Sequence, residues 1–570
     1  MLCRITLLVL MALAALPASP LTAAAPRWAN GQSGGRLVAA LRADPKTFNP
    51  VIVLESATRE ALRPLFADLI EIDRETQETQ AALAHRWSVS ADGRILDVEL
   101  RPGLRFSDGA PLTSEDVLFT FRVFADQRVG SPRRDLLVVG GRPLEVRALG
   151  PLQVRFEFAE PYAAGDRLFD GFPILPRHKL EAAYRDGTLH QEWTVATPVA
   201  SIVGNGPFRL KTYTPGSRIV YERNPFYWKA DDAGVRLPYL QELVLNIVPS
   251  EDTQLLQFKA SSVDVLNRLS PEHFDALTGV GRAVPADLGP GLEYNFLFFN
   301  LNDSAEGRPV AGSRPWFRDE TFRKAASMAI DRDALARLAY RGRGTVLSGS
   351  VTPGNRRWRN DRLQPQKQST AAAKQLLAAA GYTWDAQGMM RDRQGAAVTF
   401  TVAVATSNAA RQRMATLVAD DLRRLGMNVT VTPLEFRALA DRVYQTHDYE
   451  AAVVGFGAGD ADPNGDINVW LSGGGSHVWR LRGDPEPWQR EIDDRLRRQL
   501  GTMQFAERKR IYDEVQTLIA DHTPVVFLAS PNILVAADRE LGNFRPAVLE
   551  PHTLWNIDRL FWRNPRRRAF

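Results

Sequence analysis

The sequence predicts a large α/β protein with at least two lobes. Of its 570 residues, 44% are hydrophobic and 24% are charged, which is a globular composition and far from a disordered one. A strand-rich region covers residues 205–248, and strands alternate with helices beyond residue 291. Such alternation is typical of a mostly parallel sheet covered by helices on both faces. The length allows roughly three or four domain-sized units.

The N-terminal segment has the pattern of a secretory signal peptide, which we predict to cover residues 1–24. A positively charged start precedes an apolar run at residues 5–16, and small residues at Thr22 and Ala24 suit a cleavage site. The apolar run is too short to span a bilayer. The alternative is an apolar anchor that stays on the protein.

The cysteine content and the charge restrict the function further. Cys3, the single cysteine, precedes the apolar run, where it cannot be a lipoprotein attachment site, and the mature chain would have no disulfide.

The net charge of +5 is mild, and no basic stripe is interleaved with aromatic residues, which argues against a nucleic-acid partner. No later segment is apolar enough for a membrane span. We therefore expect a soluble, non-lipidated protein that is exported to a periplasm.

The first half of the chain contains strands, helices and one clear hairpin. Thr113 is placed to cap a helix, with Asp116 three residues on as its partner. Pro215 and Gly216 form a turn between two strand patterns. The predicted elements are strands at 36–43 and within 95–106 (two, around a Pro-Gly turn), helices at 57–73 and 113–126, the hairpin 208–224, and strands at 242–248 and 291–302.

The second half alternates regularly. Gly381 and Gly426 each follow a helical pattern and are suited to end it. The predicted elements are helices at 371–381, 413–426 and 506–522 and strands at 398–405, 428–434, 450–456 and 525–529.

The loop GFGAGDADP at residues 455–463 is the strongest candidate site. Asp460, Asp462, Asn464 and Gly465 match the start of an EF-hand calcium loop, but the twelfth position is Leu471 instead of a glutamate, and a strand leads in where a helix is required. The sequence therefore predicts no calcium site here and no other metal site.

Other catalytic patterns are also absent from the sequence. The residues GQSGG at 31–35 match a nucleophile elbow, yet they precede a strand instead of following one. The eight histidines are scattered, and no phosphate-binding loop occurs. We expect no catalytic centre, no enzymatic activity and no cofactor.

The same loop suits a ligand, because ligands of open α/β sheets bind where strands end at their carboxyl edge. Glycines allow a close approach of the backbone, carboxylates supply negative charge, and aromatic rings supply an apolar wall. The candidate residues are Gly455, Phe456, Gly457, Asp460, Asp462 and Trp470. The alternative is a tight turn that the acidic residues cap.

Several stretches resemble the family 5 extracellular solute-binding proteins of ABC transporters, which include oligopeptide-, dipeptide- and nickel-binding proteins. The most specific stretch is GNGPFRLKTYTPGSRIVYERNPFYW, residues 204–228. The resemblance runs from about residue 36 to residue 563. Other matching stretches are LAHRWSVSADG (83–93), LRPGLRFSDGAPLTSEDVLFTF (100–121), ILPRHKL (174–180), LFFN (297–300), RKAASMAIDRDAL (323–335) and LLAAAGYTWD (376–385).

This resemblance implies a two-lobed periplasmic binding protein fold with mixed sheets, of the large type that has an extra subdomain in the first lobe. Lobe I would comprise residues 33–76, 197–290 and 525–570, with the subdomain at 77–196. Lobe II would comprise residues 291–524. A hinge would connect the lobes and let them close over a solute.

The resemblance also implies a contact to the solute. In peptide-binding members, an aspartate in the pattern G-W-x-x-D-x-x-D-P pairs with the amino terminus of the peptide. Here Phe456 replaces the tryptophan, Gly459 stands where the aspartate usually stands, and Asp460 is the acid nearest to Asp462. Other expected contacts lie at strand ends facing the cleft: Glu55, Ser56, Tyr294, Asn295, Ser407 and Asn408.

The function expected from this resemblance is that of a monomeric periplasmic receptor that captures a small solute and delivers it to a permease in the inner membrane. A peptide or peptide-like solute is the main expectation. The alternatives are a metal chelate, a glycan fragment or an opine-like compound, an exported hydrolase on a similar frame, and a sensory or chaperone role.

Overall fold

The computed structural model describes residues 27–302, 311–457, 459–480 and 484–564. The predicted signal peptide lies outside these residues. Three larger sheets, of eight, five and four strands, organise the described chain into two lobes. None of the described helices is both long and apolar enough to cross a membrane.

The eight-stranded sheet is the centre of the first lobe. Arg36–Leu41 lies inside the sheet and pairs in parallel with Glu242–Ile247. Leu37 packs on one face of the sheet and Val38 on the other, as the alternation of a strand requires. The strands, in order of hydrogen-bonded neighbours, are Phe208–Thr214, Arg218–Arg223, Glu242–Ile247, Arg36–Leu41, Val265–Leu266, Ala529–Asp538 and Ala283–Pro290, and Gly344–Val346 pairs with Ala529–Asp538.

The five-stranded sheet is the centre of the second lobe. Its strand order is Asn428–Leu434, Thr399–Ala405, Ala451–Gly457, Glu293–Phe299 and Val525–Phe527. The first two pairings are parallel and the last two are antiparallel. The sheet is therefore mixed, with four strands running in one direction and Glu293–Phe299 running against them, which agrees with the mixed sheets that the family resemblance implies. Glu293–Phe299 enters directly from the other lobe, so no helical crossover fixes its direction, and it runs antiparallel to both of its neighbours.

The four-stranded sheet is antiparallel and packs with the first lobe. Its strands, in order, are Ala84–Val89, Ile95–Leu100, Gln153–Glu157 and Glu145–Gly150. The helix Ser114–Ala125 begins as predicted, and the Thr113 backbone N–H donates to the Asp116 carboxylate at 2.9 Å. Side chains of this sheet and of the eight-stranded sheet belong to one continuous apolar core.

Two predicted elements differ from the structure. The helix expected at 57–73 stops at Leu62, because Pro64 lacks a backbone N–H and disfavours a continuing helix. The chain then forms the strand Ile70–Ile72, which pairs with Thr79–Ala81. The second strand expected within 95–106 does not form either, since the chain turns back between Phe106 and Ala110.

The remaining elements cover the sheets. The other paired strands are Val138–Val139 with Arg142–Pro143, Thr383–Trp384 with Met390–Arg391, and Leu541–Gly542 with Phe561–Trp562. The other helices are Arg177–Arg185, Glu251–Lys259, Pro271–Asp275, Pro315–Arg318, Glu320–Ala329, Arg332–Ala339, Thr370–Ala379, Ala409–Arg424, Phe436–Asp441, Ile467–Trp470, Pro487–Leu500 and Phe505–His522.

The two lobes are joined by two neighbouring strand crossings. Ala283–Pro290 in the first lobe continues into Glu293–Phe299 in the second, with residues 291–292 between them. Val525–Phe527 returns through Leu528 into Ala529–Asp538. The Leu528 N–H donates to the Asn295 carbonyl at 2.9 Å, so the crossings lie side by side. The predicted strands at both places are confirmed.

Candidate functional site

A polar cluster occupies the start of the second lobe, next to the crossings. The Arg411 guanidinium bonds the Glu293 carboxylate at 2.9 Å and the Asn295 side-chain oxygen at 2.7 Å. The Asn295 side-chain nitrogen donates to the Ala529 carbonyl at 2.9 Å and to the Tyr340 hydroxyl at 3.0 Å. Asn295 is buried and bonds to both crossing segments, while the Arg411 and Glu293 side chains are partly exposed.

Gly455 is required by this cluster. A Cβ atom at Gly455 would lie 2.3 Å from the Asn295 side-chain oxygen and 2.4 Å from an Arg411 nitrogen. The glycine therefore makes room for the guanidinium against the strand. At Gly457, by contrast, a Cβ atom would meet nothing closer than 4.0 Å, and the residue is exposed.

Asp460 joins the four-stranded-sheet region to the second lobe. Arg167 donates to both oxygens of the Asp460 carboxylate. Its Nε donates to one oxygen at 2.6 Å, and a terminal nitrogen donates to the other. Arg167 also donates to the Gln77 carbonyl at 3.0 Å. The Asp460 charge raises the pKa of Arg167 against the opposing effect of burial. An ion pair in this fork geometry is strong and directional.

Asp462 has a structural partner deep in the second lobe. Two Arg508 nitrogens each donate to an Asp462 oxygen at 2.7 Å, and both side chains are buried. The same carboxylate accepts the Asn464 N–H at 3.0 Å and caps the turn that follows. Both carboxylate oxygens are thus occupied by protein donors.

The aromatic candidates differ in exposure. Trp470 and Tyr294 are at most 2% exposed and pack in the core of the second lobe. Phe456 is half-buried, with its ring 5.2 Å from that of Phe296. Among these three rings, Phe456 is the one with surface available for a solute.

The candidates at strand and helix ends are mostly exposed. Glu55 and Ser56 open the helix Ser56–Leu62 in the first lobe and face solvent. Ser407 is exposed, and the Asn408 side chain caps the following helix by accepting the Arg411 N–H at 2.9 Å. The structure therefore brings Asn295, Asn408 and Gly455 together around Arg411, a residue that sequence reasoning missed although it lies in the helix turn after Asn408.

Further contacts tie the same face of the two lobes together. The Gln77 amide donates to the Gly354 carbonyl at 2.7 Å, and the Ala163 N–H donates to the Leu500 carbonyl at 2.7 Å. On the surface, Arg357 pairs with Glu78 at 2.6 Å. With the Arg167–Asp460 pair, these contacts close one side of the cleft between the lobes.

A second polar feature is a cavity of about 150 Å³ in the first lobe. It is bordered by the helix Ser56–Leu62, by the chain around Arg133 and Asp170, and by residues 554–558 near the C-terminus. Arg63 projects into it, a residue that sequence analysis placed on a helix without assigning it a role. The sequence around Arg63 does not distinguish it from an ordinary charged residue on the protein surface.

No metal centre is present in the described ranges, where no group of three or more His, Cys, Asp or Glu residues could hold an ion. Asp466 lines a small cavity beside Asp460 and Asp462, and its burial raises its pKa to about 6. The fully paired carboxylate of Asp462 is not available as a cation ligand.

The chain is similar to known proteins over most of its length. The family model described as "Bacterial extracellular solute-binding proteins, family 5 Middle" matches residues 78–477. A probable ABC transporter-binding protein from Deinococcus radiodurans is 27% identical over 547 residues, which cover 91% of each chain. The oligopeptide-binding protein AppA from Bacillus subtilis is 24% identical over 538 residues, covering 93% of this chain and 92% of the relative.

Solved structures share the fold. The ABC transporter substrate-binding protein CtaP from Listeria monocytogenes superposes with a TM-score of 0.76 at 20% identity, over 94% of this chain and 100% of that one. AppA from Bacillus subtilis, solved in complex with a nonapeptide, gives a TM-score of 0.68 at 22% identity, over 94% and 100% of the two chains. Because the family model covers more than half of the sequence, this chain belongs to the family 5 bacterial extracellular solute-binding proteins.

Proposed function

We propose that this protein is the periplasmic receptor of an ABC importer and that it captures peptides or peptide-like solutes without turning them over. The observation that carries the proposal is the pair of adjacent crossings, at residues 291–292 and Leu528, with polar groups presented beside them. Two short connections let the lobes rotate while each core stays intact. The peptide class is supported by relatives such as AppA, which is named as an oligopeptide-binding protein.

The proposed mechanism is a population shift between open and closed lobes. A solute that contacts both lobes stabilises the closed form by its differential affinity for that form. The first lobe would contribute Glu55 and Ser56, and the second would contribute the groups around Arg411 and Phe456. The permease in the inner membrane would recognise the closed form.

We also propose the division of the chain that the family resemblance implies. Lobe I takes residues 33–76, 197–290 and 525–570 with the subdomain 77–196, and lobe II takes 291–524. The separate cores around the eight-stranded and five-stranded sheets support this division, but the strand Val525–Phe527 lies in the five-stranded sheet of the second lobe, so we begin the last segment of lobe I at Ala529. A cleaved segment at 1–24 and a monomeric state belong to the same proposal.

Native mass spectrometry of the purified mature protein tests the proposal, with denaturing release of whatever solute it carries. A ladder of short peptides is the expected result. Small-angle X-ray scattering should then show a smaller radius of gyration when the released peptides are added back to stripped protein. A single nonpeptide mass would overturn the peptide assignment, and hydrolysis of an added peptide by pure protein would overturn the receptor assignment.

A further inference from the structure

The first-lobe cavity is rich in charge and has an excess of cations. The cationic residues in its lining are Arg59, Arg63, Arg74, Arg133 and Lys229. The acidic residues are Asp68, Glu71, Asp170 and Asp558. Burial and the nearby Asp170 raise the pKa of Asp68 to about 7, so Asp68 carries only part of a negative charge at neutral pH. The cavity is therefore net positive.

Three of the four acidic residues in the lining are already paired with cations, and the fourth, Asp68, accepts the Gly171 N–H at 2.8 Å. Arg74 bonds both oxygens of Asp170 at 2.9 Å. Lys229 lies 3.3 Å from Asp558 and 3.5 Å from Glu71. None of these carboxylates is left over to neutralise the other arginines.

Two arginines of the cavity lack such partners. Within the described part of the chain, the guanidinium groups of Arg63 and Arg133 make no hydrogen bond and no ion pair. The Arg63 side chain is exposed to the cavity, yet the surrounding protein lowers its pKa to about 10 by desolvation. Desolvation likewise lowers the pKa of Arg133. An anionic group that binds beside these arginines would offset this desolvation.

The cavity adjoins the boundary between the lobes. Ile72, one of its lining residues, packs in the apolar core of the second lobe. Arg74, another lining residue, is close enough to Asp460 of the second lobe for that charge to raise its pKa. A solute in the cleft could thus extend an anionic group into the first lobe. The volume leaves room for several water-sized groups.

We propose that this cavity is a subsite for an anionic group of the solute, held by Arg63 and Arg133. The planar guanidinium fork matches a carboxylate, which makes a peptide with an acidic side chain or a free C-terminal carboxylate the fitting solute. This inference rests on the proposed function and adds to it a site for an anionic group of the solute.

Isothermal titration calorimetry with matched tripeptides tests the subsite. The probes are Ala-Glu-Ala, Ala-Gln-Ala and the C-terminal amide of Ala-Gln-Ala. They are titrated into wild type, Arg63→Gln, Arg133→Gln and the control Arg185→Gln, which removes an exposed charge elsewhere in the same lobe. Wild type and the control should bind at least one carboxylate form about tenfold more tightly than its amide counterpart, a preference set by a charged hydrogen bond.

In Arg63→Gln this preference should fall to about one, and Arg133→Gln should reduce it. The pair Ala-Glu-Ala and Ala-Gln-Ala reports on a side-chain carboxylate, and the C-terminal amide reports on the terminal one. An unchanged preference in Arg63→Gln would overturn the subsite. Circular dichroism and the melting temperature of each variant show whether it is folded, and Arg63→Gln should melt no lower than wild type.

A failure of the peptide assignment gives a different pattern. If none of the tripeptides binds wild type, citrate serves as the carboxylate probe in a thermal-shift assay, and the peptide class is wrong if native mass spectrometry also releases no peptide. A rise in melting temperature that is present in wild type and lost in Arg63→Gln would support the subsite. An equal rise in both proteins, or none in either, would overturn it.

Discussion

Arg167 and Asp460 form a two-nitrogen, two-oxygen ion pair although 293 positions separate them in the sequence. The pair links the region of the four-stranded sheet to the ligand-candidate loop of the second lobe. A solute amine that used Asp460 would have to share or displace Arg167. The pair therefore acts first as a contact between lobes.

Loss of this pair should open the protein. Arg167→Ala and Asp460→Ala should each weaken the closed form by about 1.5–3 kcal/mol, the range for hydrogen bonds to charged groups. The double variant should add little to either single one, because both remove the same interaction. Small-angle X-ray scattering of the solute-free proteins should show a larger radius of gyration. Arg357→Ala is the control, since its pair with Glu78 is solvent-exposed and weak; equal opening in the control would refute the prediction.

The buried pair of Asp462 and Arg508 should govern stability. Asp462→Ala leaves a buried guanidinium without its counter-charge, so we expect a loss of about 3–5 kcal/mol in the free energy of unfolding. Urea unfolding followed by tryptophan fluorescence measures this change. Asp494→Ala on the exposed face of the helix Pro487–Leu500 is the control, with an expected change within about 0.5 kcal/mol. Full stability in Asp462→Ala would contradict this prediction and would mean that the two Gln499 oxygens, which already accept from Arg508, are sufficient partners for it.

Gly455 should tolerate no side chain. Gly455→Ala pushes a methyl group into the bond between Asn295 and Arg411, and we expect a loss of about 1–3 kcal/mol in stability, as for other overpacked positions. Gly459→Ala is the matched control, because a Cβ atom there would meet nothing within 4 Å. Thermal melts of both variants compare the two sites. Similar melting temperatures for the two would contradict the steric argument.

His477 should make the protein sensitive to acid. Burial lowers its pKa to about 4, and its Nδ1–H donates to the Val469 carbonyl at 3.1 Å. The folded protein therefore binds a proton less readily than the unfolded chain. The stabilisation is complete above pH 6.5 and is lost as the pH falls toward 4, by about 2 kcal/mol between pH 7 and pH 5.

Urea unfolding at these two pH values measures the loss due to His477. His477→Asn should reduce the difference between the two pH values, because asparagine does not titrate and can still donate to Val469. His552, whose pKa burial also lowers to about 4, remains in the variant and sustains part of the difference. An undiminished difference in His477→Asn would show that His477 does not contribute.

Local patterns predicted much of the fold. The hairpin around Pro215 and Gly216 forms as expected, because these residues favour a turn on their own. The capped start at Thr113 is equally local. The helix predicted beyond Leu62 does not form. The helical spacing of apolar residues continues past Pro64, but the proline prevents the backbone from continuing as a helix.

The sequence by itself determined the order of strands and helices, the turn chemistry and the resemblance to a solute-binding family, because each depends on neighbours within a few residues. Only the tertiary structure decided which acid meets which arginine. Asp460 and Asp462 look alike in the loop, yet one pairs across the lobes and the other is buried with Arg508. Nothing in the sequence near Arg63 indicates that this residue lines a cavity. These ion pairs form between elements that are distant in the sequence and become neighbours only on folding. The burial that strengthens the pairs also exists only in the folded protein.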